Sequence, residues 1–312
     1  MRFLDLHCDT AGECFLQQKP LSQNDLHISL ARAACFSQYV QLFAVWIPDE
    51  KRGEEAYRYY RAVLDNFRRE LKENDARIAL CTSAKAMQAA LAAGKTAALA
   101  AVEGGAVLGG RLDRLDALYE DGVRLLTLTW NGANELGSGC FAKPDGGLSD
   151  FGRRVVDAMQ EKGILVDVSH LGRRGFWEVA DRVNGPFLAS HSNAAIVDNP
   201  YAAARNLSDR QIEEIVRHKG LIGLNLCADF LGNNGDTGCD AVLRQIAHFL
   251  ELGAEDCLAF GCDFDGCTVN PVFAGVERIP ALHAYLLAHG VAQKTLNKLF
   301  FENGRAFLIA NL

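Results

Sequence analysis

Side chains that bind metal ions follow the apolar segments of this sequence one after another. The apolar runs FLDL, TAALAAV, ILVDV, PFLAS and LAFGC are closely followed by six potential ligands: His7, Asp9, Glu103, His170, His191 and Asp263. Parallel strands of a barrel would gather such residues at one mouth, where they could hold a metal cluster. Imidazole and carboxylate groups are the ligands that zinc takes in many hydrolases. The spacing therefore predicts a metal-dependent hydrolase.

His7 and Asp9 are two residues apart at the end of the first apolar run. Side chains i and i+2 of a strand point the same way, so both could reach one ion. An HxD tripeptide alone is a weak signal, because a stray histidine at a capped strand end gives the same pattern. The position at the end of a first strand, together with the ligands farther along the chain, favours the metal site.

Glu103 follows the run AALAAV and precedes two glycines. An ionised carboxylate in such apolar surroundings is costly unless a cation or hydrogen-bond donors receive it. Its two oxygens could bridge two metal ions about 3.5–4 Å apart. The alternative is a carboxylate that caps a helix or forms an ion pair.

His170 and His191 end consecutive predicted strands, and neutral imidazole is a natural ligand of zinc. A single histidine at a strand end would more often be a structural residue, but two on neighbouring strands favour a metal site. The remaining histidines lie in polar or helical segments without partner ligands, and we expect them to be structural or solvated: His27, His218, His248, His283 and His289.

Two further kinds of side chain could act on a substrate. Asp263 and Asp265 follow the last apolar run in GCDFDG, and a carboxylate beside metal ions can move a proton from water to a leaving amine. Asp263 is favoured because it follows the run directly, whereas Asp265 would support the site or shape the turn. Arg205 could bind a substrate carboxylate through its planar guanidinium, although a lone arginine is more often an ordinary surface residue.

Apolar, β-rich runs alternate with segments of helical periodicity along the chain. Eight strands are predicted, at residues 3–9, 39–47, 96–103, 124–130, 164–170, 186–191, 221–226 and 258–263. Most are continuous, as in parallel strands covered on both faces. Helices are predicted at residues 54–73, 112–121, 150–162, 172–183, 208–219 and 240–252, and in the C-terminal stretch 277–312. The alternation favours an α/β fold, a (β/α)8 TIM-type barrel, over a doubly wound sheet, with the metal centre at the C-terminal ends of the strands.

Composition indicates a soluble globular protein with a large core, because 49% of the residues are hydrophobic and 23% are charged. Neither a repeat nor a linker is evident, so we expect one domain spanning residues 1–312. The net charge of -7 gives no basic patch, so nucleic acid and an anionic membrane are not expected as partners. No apolar run approaches the roughly 18–20 residues that span a bilayer. The start, MRFLDLHCDT, lacks the pattern of a signal peptide, which predicts a cytoplasmic protein.

The cysteines are scattered along a chain without a secretion signal, and neither CxxC nor CxxCH occurs. Several lie in apolar runs, where a free thiol packs as a small hydrophobic group. Free thiols are therefore expected rather than disulfides.

The motifs together resemble those of the membrane dipeptidase (renal dipeptidase) family of metallopeptidases. The resemblance runs from Asp5 to about Gly266 through DLHCDT, VEGG, LTLTWN, DVSH, ASHSNA, ARNLSD and GCDFDG, in the same order and strand contexts. Members of this family have a barrel fold and a two-zinc centre that hydrolyses dipeptides. They often accept a D-residue at the C-terminal position, and the resemblance also suggests a homodimer.

The resemblance implies a role for each candidate ligand. His7 and Asp9 would bind one zinc ion, His170 and His191 would bind the second, and Glu103 would bridge the two. The implied activity is that of a zinc-dependent dipeptidase, in which a metal-bridging hydroxide attacks the scissile carbonyl.

The resemblance also implies how the dipeptide is held and cleaved. Arg205 would bind the terminal carboxylate of the substrate, which replaces the interpretation as a surface arginine, and Asp263 would carry the proton. Several well-known family members carry a histidine after the fourth strand that can polarise the substrate carbonyl, but Trp130 stands at that position here. An indole can donate a hydrogen bond but cannot become cationic. We therefore expect Trp130 to narrow the pocket, and Asn131 or the zinc ions to stabilise the oxyanion.

Two other functions stay open at the level of sequence. One is a related barrel amidohydrolase acting on N-acyl amino acids, lactams or lactones. Such enzymes often use HxH and a bridging lysine, whereas this chain has HxD and no lysine at a strand end. The other is a catalytically silent metal-binding protein, which retention of every expected ligand disfavours. Manganese or cobalt could also occupy these ligands.

Overall fold

The strands of the protein form a closed parallel barrel. A computed structural model describes residues 1–233 and 235–312. In these ranges the strands are β1 (Arg2–Cys8), β2 (Gln38–Trp46), β3 (Ile78–Leu80), β4 (Thr96–Glu103), β5 (Val123–Thr127), β6 (Leu165–Asp167), β7 (Leu188–Ala189), β8 (Leu221–Leu224) and β9 (Leu258–Phe260). Hydrogen bonding follows the order β2-β1-β9-β8-β7-β6-β5-β4, and a pairing of β2 with β4 closes the ring. The predicted TIM-type barrel is confirmed.

One short strand was not predicted and lies outside the closed ring. Strand β3 pairs with the first residues of β4, from Thr96 to Ala98. Strand β5 pairs with the later residues of β4, from Ala100 onwards. Because β3 contains only the three residues IAL, it is too short to give a pattern of its own. It extends the sheet at the bottom of the barrel without entering the ring.

Helices connect the strands and surround the barrel. In the described ranges they are α1 (Thr10–Leu16), α2 (Leu30–Ala33), α3 (Gly53–Glu73), α4 (Ala84–Ala92), α5 (Asp113–Glu120), α6 (Asp150–Lys162), α7 (Arg173–Arg182), α8 (Pro200–Arg205), α9 (Asp209–Arg217), α10 (Ala228–Leu231), α11 (Cys239–Glu251), α12 (Ile279–Ala288), α13 (Gln293–Asn297) and α14 (Asn303–Asn311). The predicted helices between strands are present as α3, α5, α6, α7, α9 and α11. None of the helices in the described part of the chain is long and apolar enough to cross a membrane.

Several of these helices begin at residues that satisfy free backbone N–H groups. The side chain of Ser149 accepts a hydrogen bond from the Gly152 N–H at the start of α6. At the start of α9, Ser208 and Gln211 form a capping box, in which two otherwise unpaired donors are satisfied reciprocally. The capped helix ends are where the loops from the carboxyl ends of the strands stop. The caps therefore fix one end of loops on the side of the barrel that carries the ligands.

The barrel interior is a packed apolar core. Every strand of the closed ring contributes to one buried cluster, which includes Leu4, Leu6, Val40, Leu42, Leu99, Leu125, Leu165, Leu188, Leu221 and Ala259. Residues of the C-terminal helical segment, Phe301, Phe307 and Leu308, belong to the same cluster. A second cluster fills the space between the strands and the surrounding helices. Polar residues inside the barrel therefore lie above this core, towards the carboxyl ends of the strands.

A β-bulge in β1 directs the first two ligands into the barrel. Asp5 pairs with Gln41 and Cys8 pairs with Phe43, so β1 has one residue more than β2 between these pairs. Cys8 packs in the outer cluster, unlike Leu4 and Leu6, which pack inside the barrel. The extra residue changes the phase of alternation. His7 and Asp9, on either side of Cys8, consequently share the inner face with these leucines.

Several predicted strands end earlier than expected, so the ligands beyond them lie on loops. His170 lies three residues after the end of β6, and Asp263 lies three residues after the end of β9. Both have left-handed backbone conformations, each with φ of 62°. Such a residue cannot continue a strand, which is why extension of β6 and β9 to these ligands was wrong. Only His7 and Glu103 among the ligands lie within strands.

Candidate metal centre

Glu103 lies at the centre of a cluster of ligand side chains at the carboxyl ends of the strands. Its Oε2 atom is 3.6 Å from His7 Nε2. Its Oε1 atom is 3.0 Å from His170 Nε2 and 3.4 Å from His191 Nε2. The two oxygens of one carboxylate thus face two different groups of nitrogen ligands. This is the arrangement in which a carboxylate can bridge two metal ions.

The group formed by Glu103, His170 and His191 has the dimensions of a single metal site. The Nε2 atoms of His170 and His191 are 2.9 Å apart. Ligands of a tetrahedral zinc ion, bonded at about 2.0–2.1 Å, are separated by roughly 3.3 Å. The three ligand atoms lie close to that spacing, so small displacements would let them share one ion.

The group formed by His7, Asp9 and Glu103 offers a second site. His7 Nε2 is 3.3 Å from Asp9 Oδ2, and one ligand atom from each of the three residues lies within 4.8 Å of the others. Asp9 Oδ1 is buried and has no hydrogen-bond partner among the described residues. Leaving such an oxygen unsatisfied costs about 1–3 kcal/mol, and a cation would remove this cost. These residues therefore fit a second metal ion.

The electrostatics of the cluster suit bound cations. Burial raises the pKa of the Glu103 carboxyl well above its ordinary value, and it raises the pKa of Asp9 as well. Burial lowers the pKa values of His170 and His191 well below the ordinary value. For His7, burial acts downward, but the charge of Glu103 and the contact with Asp9 raise the pKa to about 10. Divalent cations would stabilise the ionised carboxylates and the neutral imidazoles, which are the protonation states that bind metal.

A second carboxylate, Asp167, holds the loop ends beneath the ligands. Its Oδ1 atom accepts hydrogen bonds from the backbone N–H groups of Ser169 and Ser190. Its Oδ2 atom accepts hydrogen bonds from the hydroxyls of Ser190 and Thr127. The Ser190 hydroxyl also lies 2.7 Å from His191 Nδ1. The chain Asp167–Ser190–His191 therefore fixes the imidazole with its Nε2 atom towards Glu103, as hydrogen bonds outside a metal centre commonly do.

Replacing Ser190 with alanine is expected to weaken metal binding about 10- to 100-fold, because the His191 ring loses the partner that orients it. The matched control is Thr127→Val, which removes a hydrogen bond to the same oxygen of Asp167 but does not contact His191. Metal affinity can be measured by competition with a chelator of known strength. Equal losses of affinity in the two variants would contradict the orienting role of Ser190.

Asn131 contacts one of the ligands through its side-chain oxygen. Its side-chain oxygen Oδ1 lies 2.9 Å from His170 Nδ1, so the Nδ1–H group donates to the amide oxygen and Nε2 is free to bind a metal ion. Asn131 nevertheless lines the cavity, as does Trp130. The Trp130 ring packs edge-on against Trp46, with 5.0 Å between ring centroids.

Asp263 lies beside the cluster and is held by the loop after β8. Asn225 Nδ2 donates a hydrogen bond of 3.0 Å to Asp263 Oδ2, and Asp263 Oδ1 is 3.8 Å from His7 Nε2. Asp265 instead accepts hydrogen bonds from the Thr10 hydroxyl and the His27 N–H. These contacts of Asp265 fix the loop that carries Asp263.

Arg205 is buried immediately behind the ligand loops. Its guanidinium donates to the Ser192 hydroxyl at 2.9 Å and to the His191 carbonyl oxygen at 2.6 Å. Its Nε atom is buried without a partner among the described residues. The positive charge of Arg205 lowers the pKa of Glu103, although the upward effect of burial is larger. Arg205 is not among the residues that line the cavity in the described ranges, so its contacts are with the ligand loops.

A cavity of about 290 Å³ opens above the ligands. Aromatic, acidic and thiol side chains make up much of its lining. The lining residues are Asp9, Glu13, Trp46, Glu103, Trp130, Asn131, His170, Tyr201, Cys227, Asp229, Phe230, Asp263, Asp265, Gly266, Cys267 and Thr268. A space of this size is at the small end of ligand pockets in proteins.

Sequence analysis missed the residues that position the ligands. Asp167 was visible within DVSH, where a carboxylate inside an apolar run is a signal in its own right. Asn225 and Ser190 carry no such signal, because their partners are distant in sequence. Trp46, at the end of β2, was within a predicted strand, and its inward position follows from alternation with Leu42 and Ala44.

A closed parallel barrel with imidazole and carboxylate ligands around one cavity at its carboxyl mouth defines a metal-dependent hydrolase of the barrel type. The family described as Membrane dipeptidase (Peptidase family M19) matches residues 1–306. The chain belongs to this family and is a metallodipeptidase, a hydrolase acting on peptide bonds. The family resemblance inferred from the motifs is confirmed.

This chain is also similar to two solved metallopeptidase structures and to one relative in sequence. A metallopeptidase from Rhodobacter sphaeroides, liganded with a phosphinate mimic of the dipeptide L-Ala-D-Ala, has a TM-score of 0.92 at 26% identity, covering 100% of this chain and 99% of that one. The structure of dipeptidase AC, a metallopeptidase of family M19, has a TM-score of 0.91 at 27% identity, covering 100% and 98%. An uncharacterised protein from the pqqA 5′ region of Klebsiella pneumoniae is 33% identical over 238 residues, which are 73% of this chain and 86% of the relative.

Proposed function

We propose that this metallodipeptidase uses two zinc ions and cleaves dipeptides, including dipeptides with a C-terminal D-residue. The observation that carries the proposal is the division of the Glu103 carboxylate between His7 on one side and His170 with His191 on the other. A dipeptide mimic ending in D-Ala is bound by the related metallopeptidase from Rhodobacter sphaeroides, which supports the stereochemical part of the proposal.

In the proposed mechanism the residues of the chain bind the substrate and move one proton. Two bound divalent ions would supply Lewis-acid polarisation of the scissile carbonyl and a water activated as nucleophile. The Asp263 carboxylate accepts the proton of the attacking water through one oxygen, while Asn225 holds the other oxygen at 3.0 Å. The carboxyl group then donates this proton to the departing amine. The hydrogen bond from Asn225 keeps Asp263 in one orientation throughout the cycle.

The cavity favours a short substrate. Trp46 and Trp130 form one aromatic pair in its lining and reduce the space available to a substrate. Tyr201 and Phe230 form a second, stacked pair, with 5.4 Å between their ring centroids. Arg205 would attract the terminal carboxylate of the substrate from behind the ligand loops, because its positive charge already acts on Glu103 at the cavity. Aromatic walls and a buried cation therefore support a dipeptide rather than a longer chain.

Trp130 is expected to set the size of the accepted side chain. Trp130→Ala should raise kcat/KM for dipeptides with bulky residues about tenfold relative to those with small residues, the scale of pocket selectivity for one or two methylene groups. Trp130→Phe keeps the wall but loses the indole donor, so it serves as the matched variant. Kinetics on paired bulky and small dipeptides would measure the effect. Unchanged selectivity in both variants would contradict a role of Trp130 in substrate choice.

The proposed function is tested by a panel of dipeptides assayed with the protein reconstituted with zinc. The panel contains L-L and L-D isomers, with N-acyl amino acids and lactams beside them. We expect turnover of dipeptides, turnover of at least one isomer ending in a D-residue, and two zinc ions per chain by elemental analysis. Turnover confined to N-acyl amino acids or lactams would favour the amidohydrolase alternative. Absence of any turnover with both zinc ions bound would favour a silent metal-binding protein.

A further inference from the structure

Two thiols and one carboxylate form a separate cluster at the edge of the cavity. One ligand atom each from Cys227, Asp263 and Cys267 lies within 4.8 Å of the others. All three residues line the cavity. Neither cysteine belongs to the proposed two-zinc centre, and the proposed mechanism uses only Asp263. The cluster therefore contains two sulfur atoms without an assigned role.

Backbone contacts bring together the two segments that carry the thiols. Cys227 forms an antiparallel bridge with Val269, and its backbone N–H donates to Asn225 Oδ1 at 2.6 Å. The thiol of Cys267 donates to the Asp263 carbonyl oxygen at 3.4 Å. Cys227 is therefore linked to Asp263 through Asn225, which donates to the Asp263 carboxylate, and Cys267 is linked to Asp263 through its backbone carbonyl.

Gly266 lets its loop approach the carboxylates of Asp9 and Asp263 closely. A Cβ atom at this position would lie 2.1 Å from Asp9 Oδ2 and 2.6 Å from Asp263 Oδ1. Only glycine allows so close an approach of the backbone to both carboxylates. Cys267 follows this residue directly, so the loop that carries its sulfur runs close to both carboxylates.

The chemistry of the cluster suits a soft cation better than oxidation to a disulfide. The adjacent thiol of Cys227 and burial raise the pKa of Cys267 well above its ordinary value, and a protonated thiol is a poor nucleophile. A bound divalent cation deprotonates a coordinating thiol outright. Thiolate ligands select zinc, copper(I) and similarly soft ions, whereas the His and carboxylate ligands nearby are less selective.

We propose that Cys227, Cys267 and Asp263 form a further metal site for a thiophilic divalent cation, such as cadmium or excess zinc, whose occupancy inhibits the enzyme. The cation would occupy the Asp263 carboxylate and the edge of the cavity, so neither proton transfer nor substrate entry could proceed. Binding of the cation is independent of the proposed function. Inhibition rests on the proposed role of Asp263.

The test titrates cadmium into the zinc-loaded protein, with the thiols kept reduced by a phosphine. Binding is followed by the ultraviolet thiolate-to-cadmium charge-transfer band and by elemental analysis of cadmium and zinc in the same sample. We expect one cadmium ion per chain beyond two retained zinc ions. Cys227→Ser and Cys267→Ser should each lose the band and raise the cadmium concentration for half-inhibition at least about tenfold, as loss of a site partner does.

Cys239→Ser is the matched control, because Cys239 is half-buried on α11 and lies outside the cavity. It should bind cadmium as the unaltered protein does. If Cys227→Ser fails to fold, Cys267→Ser and the alanine variants give the same comparison. Displacement of zinc by cadmium, or an undiminished band in both serine variants, would overturn the site. A third bound ion with dipeptide hydrolysis unaffected would overturn the inhibition while leaving the proposed dipeptidase activity intact.

Discussion

Glu103→Gln is expected to abolish dipeptide hydrolysis and to remove the stabilisation that metal ions give to the protein. A neutral amide cannot bridge two metal ions as a carboxylate can, so metal affinity should fall by more than about 100-fold. This loss exceeds the 10- to 100-fold that is usual when a residue that only orients a metal ligand is removed. Chelator competition measures the affinity, and thermal unfolding with and without zinc measures the stabilisation.

Without metal ions, Glu103→Gln should not destabilise the protein. Burial raises the pKa of Glu103 well above its ordinary value of 4.5, so the unfolded state releases this proton at lower pH than the folded state. Stability contributed by the protonated group is therefore lost as pH rises through the folded pKa. Glutamine carries no such proton, and metal-free Glu103→Gln should be at least as stable as the unaltered metal-free protein at neutral and alkaline pH.

Glu161→Gln makes the same change on the exposed surface of α6 and is the control for both measurements. It should leave metal affinity and the pH dependence of unfolding unchanged. A Glu103→Gln protein that retains two zinc ions with full affinity would show that this carboxylate does not bridge them. Lower stability of the metal-free variant at neutral pH would contradict the cost assigned to its burial.

Asp263→Asn is expected to lower kcat by about 10²–10⁴-fold while metal content stays near two ions per chain. The amide cannot accept and return the proton. The substitution should not disturb the backbone, because asparagine is among the residues that best tolerate the left-handed conformation that Asp263 adopts at φ of 62°. The measurements are kcat and elemental analysis on the same preparation.

Asp265→Asn controls for both features of that experiment. Asp265 is also an acidic residue lining the cavity, and its backbone is also left-handed, with φ of 68°. Its carboxylate is bound by Thr10 and His27, so we expect a change in kcat of less than tenfold. Normal kcat for Asp263→Asn would exclude it as the proton carrier, and loss of metal would make it a ligand instead.

The ligand positions could be predicted from sequence because each is local to an apolar run. Alternation of apolar residues in β4 places Glu103 on the inner face, and the observed strand obeys it. The same rule fails for β1, where Leu4 and Leu6 have the opposite parity to His7 and Asp9. His7 and Asp9 share one face, as predicted. Whether that face points into the barrel depends on the bulge, which cannot be recognised from the residue types.

Contacts between loops that are distant in the chain could not be predicted from the sequence. Asn131 contacts His170 across 39 residues, and Arg205 contacts the His191 carbonyl across 14. Each of these side chains could form hydrogen bonds with several partners near a strand end. Only the three-dimensional arrangement of the loops determines which partner it has. The strands before His170 and Asp263 end earlier than the sequence predicted. Both residues have left-handed backbone conformations, but neither is a glycine, the residue type that would have indicated such a conformation.

The extra residue in β1 and its bulge compensate for each other at the metal centre. If β1 kept all its residues but paired regularly beyond Asp5, His7 would lie opposite Phe43 and face the helical layer. Deleting one residue between Leu4 and His7 would instead remove the bulge and leave His7 opposite Leu42, which packs inside the barrel. A relative that is one residue shorter before the HxD motif would therefore keep both ligands on the inner face of a regular strand.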